Sequence, residues 1–150
     1  MYKPKVLFLD FENSAGSQMA EAYLRYLGGD LFEAFSAGID PRELNPTAAL
    51  VMEEVGIDIS KHYCKNVEEY LTFHFKFVIT LDGAAVDKCP VFNSVEQFQH
   101  WGAPDTLGIH DLSRDDSEAF RRFRREIQES VLEFIAAESL SSWGKTTLKR

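Results

Sequence analysis

Short runs rich in apolar residues alternate along this chain with longer stretches in which apolar residues recur every three or four positions. The short runs have the length of strands, and the longer spacing is typical of helices that bury one face. We therefore predict strands at about 5–9, 32–35, 77–81 and 97–101. The predicted helices lie at about 17–27, 46–55 and 116–137.

The order of these elements predicts the fold class. Strands that alternate with helices form parallel sheets, because right-handed crossovers return each strand in the same direction. We expect an α/β fold, in which helices cover both faces of a four-stranded parallel sheet to give a three-layer sandwich. Residues 1–138 are expected to form one domain. Residues 139–150 are mostly polar and end in basic residues, so a flexible tail is expected there.

Composition limits the classes of partner. Hydrophobic residues make up 45% of the chain and include 12 Phe, which is enough for a sizeable core. A net charge of −8 argues against nucleic acid and anionic membranes as partners. Cys64 and Cys89 alone give no disulfide framework. We therefore expect a cytoplasmic protein that binds neither nucleic acid nor a membrane.

The segment between the first strand and the first helix combines two opposing features. A turn from a strand into a helix presents backbone N–H groups and the positive end of the helix dipole, which favour an anion. Asp10 and Glu12 nevertheless place two carboxylates there, and residues 6–24 contain no Lys, Arg or Cys. We expect this loop to be the ligand-binding site. It consists of Asp10, Phe11, Glu12, Asn13, Ser14, Ala15, Gly16 and Ser17.

Motifs around this loop and downstream resemble those of one protein family, in the same order. Leu7-Phe8-Leu9 precedes the loop, Asn13-Ser14-Ala15 lies within it, and Ser17 through Glu21 follows. The other matching motifs are Phe35-Ser36-Ala37-Gly38, Asn45-Pro46, Val55 through Ser60, Val78 through Leu81, Cys89-Pro90 and His100-Trp101-Gly102. From about residue 4 to about residue 137, the chain resembles the low-molecular-weight protein tyrosine phosphatases, most closely their thioredoxin-coupled arsenate reductases. The resemblance implies the strand order 2-1-3-4.

The resemblance also implies catalytic positions. Asp10 stands where the family has its nucleophilic cysteine, and Gly16 stands where it has an arginine that binds the oxyanion. Ser17 holds the shape of the loop in relatives, and Asp105 corresponds to the general acid that protonates the leaving group. Of the two further redox cysteines of the reductases, one position holds Asp82 and the other holds Cys89.

A cation position follows from the same resemblance. Asn13, Glu21 and Ser36 match residues that ligate potassium in some arsenate reductases, whereas Lys65 replaces an acidic ligand. The ammonium of Lys65 can take the place of the ion and neutralise Glu21. The four histidines lack the spacing of metal ligands. We therefore expect no metal and no cofactor.

Two functions are compatible with these residues. A non-catalytic binding or regulatory module is expected first, because Asp10 is a poorer nucleophile than a thiolate and repels oxyanions. Its partner would be a protein or small molecule at the loop face. The alternative is a phosphoryl-transfer or phosphatase-type enzyme that uses Asp10, with Mg²⁺. We also expect the Asp10 carboxylate to turn into the loop, accept backbone N–H groups and have a lowered pKa.

Overall fold

The computed structural model describes residues 2–102 and 116–148, with the side chains of 142–148 excepted. The strands are β1 (Lys5–Asp10), β2 (Glu33–Gly38), β3 (His74–Thr80) and β4 (Ser94–His100). The helices are α1 (Gly16–Gly28), α2 (Pro46–Glu53), α3 (Gly83–Asp87) and α4 (Ser117–Leu148), with a 3₁₀ turn at Val67–Tyr70. Asp105, the expected general acid, lies outside the described residues.

The four strands form one parallel sheet in the order β2-β1-β3-β4, which confirms the predicted topology. The first strand is central, because Leu7 is opposite Phe35 of β2 on one side and Val78 of β3 on the other. The carboxyl ends of parallel strands meet at one edge of the sheet, where α/β proteins bind their ligands. The loop that follows β1 therefore lies at the centre of that edge.

Hydrophobic clusters cover both faces of the sheet. The larger cluster packs α1, α2 and α4 onto one face through residues such as Phe8, Met19 and Phe120, all fully buried. The smaller cluster, around Phe75 and Val78, lies under α3 and the 3₁₀ turn on the other face. This arrangement is the predicted three-layer sandwich.

Two elements differ from the sequence prediction. The short helix α3 was not predicted, because five residues cannot display a helical hydrophobic pattern; it begins where the Asp82 carboxylate accepts the Ala85 N–H at 2.8 Å. The last helix is also longer than predicted, since α4 continues to Leu148, into the segment expected to be a flexible tail. Alanine and glutamate at 136–138 favour helix, so the last helix has no stop at residue 137.

Helix α4 is held against α2 by a charged cluster. Arg121 donates to the Glu54 carboxylate at 2.8 Å, and Arg124 donates both to Glu54 at 2.9 Å and to the Val51 carbonyl at 2.6 Å. Hydrogen bonds from the two arginines lower the pKa of Glu54 to about 2. These contacts fix the first turns of α4, which carry Phe123 to the candidate site.

Within the described part of the chain, no helix has the length and apolar character needed to cross a membrane.

Candidate functional site

The loop at 10–17 begins at the last residue of the central strand and ends in the first turn of α1. It passes so close to the end of β2 that a Cβ on Gly38 would lie 2.9 Å from the Phe11 carbonyl oxygen and from the Asn13 backbone nitrogen. Any larger residue at position 38 would have to displace backbone. The sequence match at Phe35-Ser36-Ala37-Gly38 therefore has a steric reason.

The Asp10 carboxylate is turned into the loop, as predicted. Its Oδ1 accepts the Asn13 N–H at 2.8 Å and the Ser17 hydroxyl at 2.8 Å, and its Oδ2 accepts the Ser17 N–H at 2.9 Å. Only 8% of the residue is exposed. Because Ala15 at the start of α1 has no side chain that can cap the helix, the Asp10 carboxylate satisfies one of its free N–H groups instead.

Asn13 holds the rest of the loop. Its backbone has a φ of 54°, a left-handed conformation that asparagine tolerates better than most residues. Its side chain donates to the Ser17 hydroxyl at 2.7 Å and accepts from Gln18 Nε2 at 3.0 Å and the Lys65 N–H at 2.8 Å. The role expected for Ser17, to hold the shape of the loop, is confirmed, and Asn13 shares this role. The structural role of Gln18, which is fully buried and also donates to the Tyr63 carbonyl, was missed.

The prediction of a lowered Asp10 pKa is wrong, because burial raises it to about 6. Three hydrogen bonds to the carboxylate oppose this effect, and the nearby Asp82 carboxylate reinforces it. The sequence predicted the hydrogen bonds from the loop N–H groups to Asp10. It gave no measure of how much hydration the carboxylate loses on burial, and this loss has the largest effect on the Asp10 pKa.

The two positions that correspond to redox cysteines of the reductases lie in different surroundings. Asp82 lies beside Asp10 at the loop, whereas Cys89 packs in the smaller hydrophobic cluster. The Asp82 carboxylate accepts the Phe11 N–H at 3.1 Å and thereby ties α3 to the loop. Cys89 is half-buried against the smaller hydrophobic cluster, and burial raises the pKa of its thiol. Cys64 was not predicted as a site residue, yet it lies near enough for the Asp10 and Glu12 carboxylates to raise its pKa, in addition to the larger effect of burial.

The rim of the loop carries both charges and an aromatic ring. Lys88 Nζ lies 5.2 Å from the centre of the Phe11 ring, and the Ser14 hydroxyl donates to the Glu12 carboxylate at 3.3 Å. On the helix side, the Phe123 ring covers Gly16 so closely that a Cβ there would lie 3.1 Å from it. An arginine at position 16 would require this ring to shift.

The buried Glu21 carboxylate has charged and polar partners on every side. Lys65 Nζ lies 3.5 Å from Oε1, the Ser36 hydroxyl donates to Oε1 at 2.8 Å, and Arg25 pairs with Oε2 at 3.1 Å. The ammonium of Lys65 thus neutralises Glu21, as the sequence suggested. Within residues 2–102 and 116–148 there is no cluster of three His, Cys, Asp or Glu side chains suited to a metal ion.

We expect Lys65→Met to lower the free energy of unfolding by about 2 kcal/mol, less than for a fully broken buried pair because Arg25 still faces Glu21. Chemical denaturation of the variant measures this loss. The exposed Lys61→Met is the matched control and should change stability by less than about 0.5 kcal/mol. Equal stability of both variants would show that Glu21 does not need the ammonium.

The comparisons with known proteins agree with this geometry. The profile described as "Low molecular weight phosphotyrosine protein phosphatase" matches residues 5–144. The chain belongs to this family. It is similar to the arsenate reductase of Halalkalibacterium halodurans, with 36% identity over 89% of this chain and 96% of the relative. It is also similar to the arsenate reductase of Bacillus subtilis, with 36% identity over 86% of this chain and 93% of the relative.

Two solved structures place the fold within the same branch of the family. An arsenate reductase in the phosphate binding state aligns with a TM-score of 0.73 and 34% identity, covering 89% of this chain and 98% of that one. A thioredoxin-dependent arsenate reductase of Corynebacterium glutamicum aligns with a TM-score of 0.71 and 25% identity, covering 93% of this chain and 63% of that one.

These relatives correct the functional expectation. A non-catalytic module was expected from Asp10 and Gly16, but the chain is similar over nearly its whole length to proteins named arsenate reductases. The alternative of Asp10 acting with Mg²⁺ also loses its basis, because both carboxylate oxygens of Asp10 accept hydrogen bonds from the loop. The expectation gave two loop positions more weight than the similarity of the rest of the chain to these relatives.

Proposed function

We propose that this protein is an arsenate reductase that binds its oxyanion at the 10–17 loop. The observation that carries the proposal is the 36% identity to a protein named arsenate reductase, which extends over 96% of that relative. The loop supports it physically, because the start of α1 and the N–H groups of the turn converge on one point. Lys88 supplies a positive charge at the rim.

The reaction needs two electrons and the removal of one oxygen. In the proposed chemistry, a thiol attacks arsenic and one oxygen leaves as water. A second thiol then attacks the sulfur, so that arsenite leaves and a disulfide forms. Position 10 holds no thiol, so the electrons come from Cys64, Cys89 or a dithiol partner. Asp10, with a pKa of about 6, is suited to protonate the leaving oxygen.

The proposal includes a partner and a location. A protein dithiol of the thioredoxin type would dock at the loop face and be oxidised in each turnover. The cytoplasm, where thiols stay reduced, is the compartment in which such a dithiol is regenerated. The two cysteines of this chain are unpaired, which is compatible with that compartment.

The test is arsenite formation from arsenate by the purified protein with thioredoxin, its reductase and NADPH. We expect arsenite well above a protein-free control, and a kcat lower by about 100-fold in Asp10→Ala because the proton donor is lost. The exposed Asp30→Ala is the control and should match wild type. Cys64→Ser and Cys89→Ser identify which thiol, if either, takes part. A rate equal to the protein-free control from about pH 5 to pH 8 would refute the proposal.

A further inference from the structure

The centre of the 10–17 loop is occupied by a side chain of the protein itself. The Asp10 carboxylate accepts two backbone N–H groups and one hydroxyl at 2.8 to 2.9 Å, and these donors belong to Asn13 and Ser17. The donors are held in place by the Asn13 side chain, which is itself fully buried and bonded to Gln18 and Lys65. The donors of the loop therefore surround an anionic group that the chain itself supplies.

A carboxylate and a tetrahedral oxyanion compete for the same donors. Both present oxygens that carry negative charge, and backbone N–H groups bind either one. While Asp10 is ionised and in place, an incoming oxyanion finds the donors of Asn13 and Ser17 already engaged and meets a like charge. Access therefore requires the Asp10 carboxylate to lose its charge and leave its hydrogen bonds.

We infer that the Asp10 carboxylate is an internal stand-in ligand that closes the loop to external oxyanions, and that the loop opens when Asp10 takes up a proton. This inference rests on the proposed function in one respect, namely that the loop is an oxyanion site. It adds that protonation of Asp10 controls the access of external oxyanions to this site. Oxyanion affinity should accordingly increase as the pH falls.

The surroundings of Asp10 favour such control. From the segment before α3, the Asp82 carboxylate opposes ionisation of Asp10. From the 62–66 segment the Cys64 thiol is a titratable neighbour of Asp10, and Lys65, whose ammonium faces Glu21, donates its N–H to the Asn13 side chain. Helix α4 contributes the uncharged Phe123 ring over Gly16. Glu12, on the loop itself, accepts from the Ser14 hydroxyl. The named causes of the change in the Asp10 pKa are burial, the Asp82 carboxylate and hydrogen bonds from Ser17 and Asn13, and none of these is an ion pair with a lysine or arginine.

The experiment is a titration of the purified protein with sulfate, which remains a dianion between about pH 5 and pH 8. Backbone amide shifts of residues 13–17 report binding in NMR spectra. If only the protonated form binds, a pKa of about 6 weakens wild-type binding by about 30-fold between pH 5 and pH 7.5. Asp10→Ala should bind at pH 7.5 at least about 30-fold more tightly than wild type, with no dependence on pH.

Controls separate the gate from other titrating groups. His62 contacts Gln18 at 3.1 Å and is not among the groups that change the Asp10 pKa most, so His62→Asn should keep the wild-type pH dependence. Asp10→Ser, whose hydroxyl can still accept one N–H, replaces Asp10→Ala if the latter does not fold. A wild-type affinity that does not change with pH, or an Asp10→Ala affinity equal to wild type at pH 7.5, would overturn the inference.

The reductase proposal and the Asp10 gate can be refuted independently of each other. Sulfate is not turned over, so the expected sulfate pattern without arsenite formation would refute the reductase alone. Arsenite formation with pH-independent sulfate binding would refute the gate alone. In the reductase assay at neutral pH, the gate predicts a lower KM for arsenate in Asp10→Ala, whereas loss of the proton donor lowers its kcat.

Discussion

Replacing Asn13 by Ala is expected to lower the free energy of unfolding by about 4 kcal/mol. The fully buried side chain makes three hydrogen bonds, to Ser17, Gln18 and Lys65. A buried group that loses its partner costs about 1–3 kcal/mol, and the Lys65 N–H would be left without one in the interior. Alanine is also strained at a φ of 54°, which adds about 1 kcal/mol.

Urea denaturation monitored by circular dichroism measures this effect. The exposed Asn93→Ala is the matched control, with an expected change below about 0.5 kcal/mol. Asn13→Gly removes the same hydrogen bonds but relieves the backbone strain, so it should be less destabilising than Asn13→Ala. A loss below about 1 kcal/mol in Asn13→Ala would mean that the loop does not depend on this network.

Asp10 is expected to make the protein less stable as the pH rises, by about 3 kcal/mol in total. The folded state has a raised pKa of about 6 for this carboxyl, whereas the unfolded chain has a value near 3.8. Between these values the folded state holds a proton that the unfolded state has released. Stability therefore falls as pH rises through that window, and a tenfold difference in proton affinity between the two states corresponds to about 1.4 kcal/mol.

The comparison of wild type with Asp10→Asn isolates this contribution. The difference between their unfolding free energies, measured from about pH 3 to pH 8, should change by about 3 kcal/mol in favour of the variant. Asp30→Asn, at an exposed position, should show no such change. If the difference stayed constant, or changed in the opposite direction, the pKa of Asp10 in the folded protein would not be raised.

The sequence predicted the fold better than it predicted the chemistry of the loop. Hydrophobic spacing located the strands because a buried parallel sheet leaves few alternatives for runs such as Phe77–Leu81. The strand order came from the family resemblance. The inward turn of Asp10 could also be predicted, because unfilled N–H groups need an acceptor.

Depth of burial was the quantity that local sequence could not supply. It decided whether the Asp10 pKa rises or falls, and it depends on Phe123 and other residues far along the chain. Helix α3 was missed because its five residues are too few to display a helical pattern, and the Asp82 carboxylate that begins it gives no such pattern. The functional expectation was wrong because it weighed Asp10 and Gly16 above the similarity of the remaining chain to reductases.

The contact of Phe123 with Gly16 has a consequence for how a newly made chain matures. The central strand and the loop are translated well before the ring that covers the loop, which arrives only with α4. Strand β1 must also wait for β3, its partner on one side. Such distant pairings slow folding. The nascent loop therefore stays open to solvent until α4 docks. The site is fully formed only when the whole domain has folded.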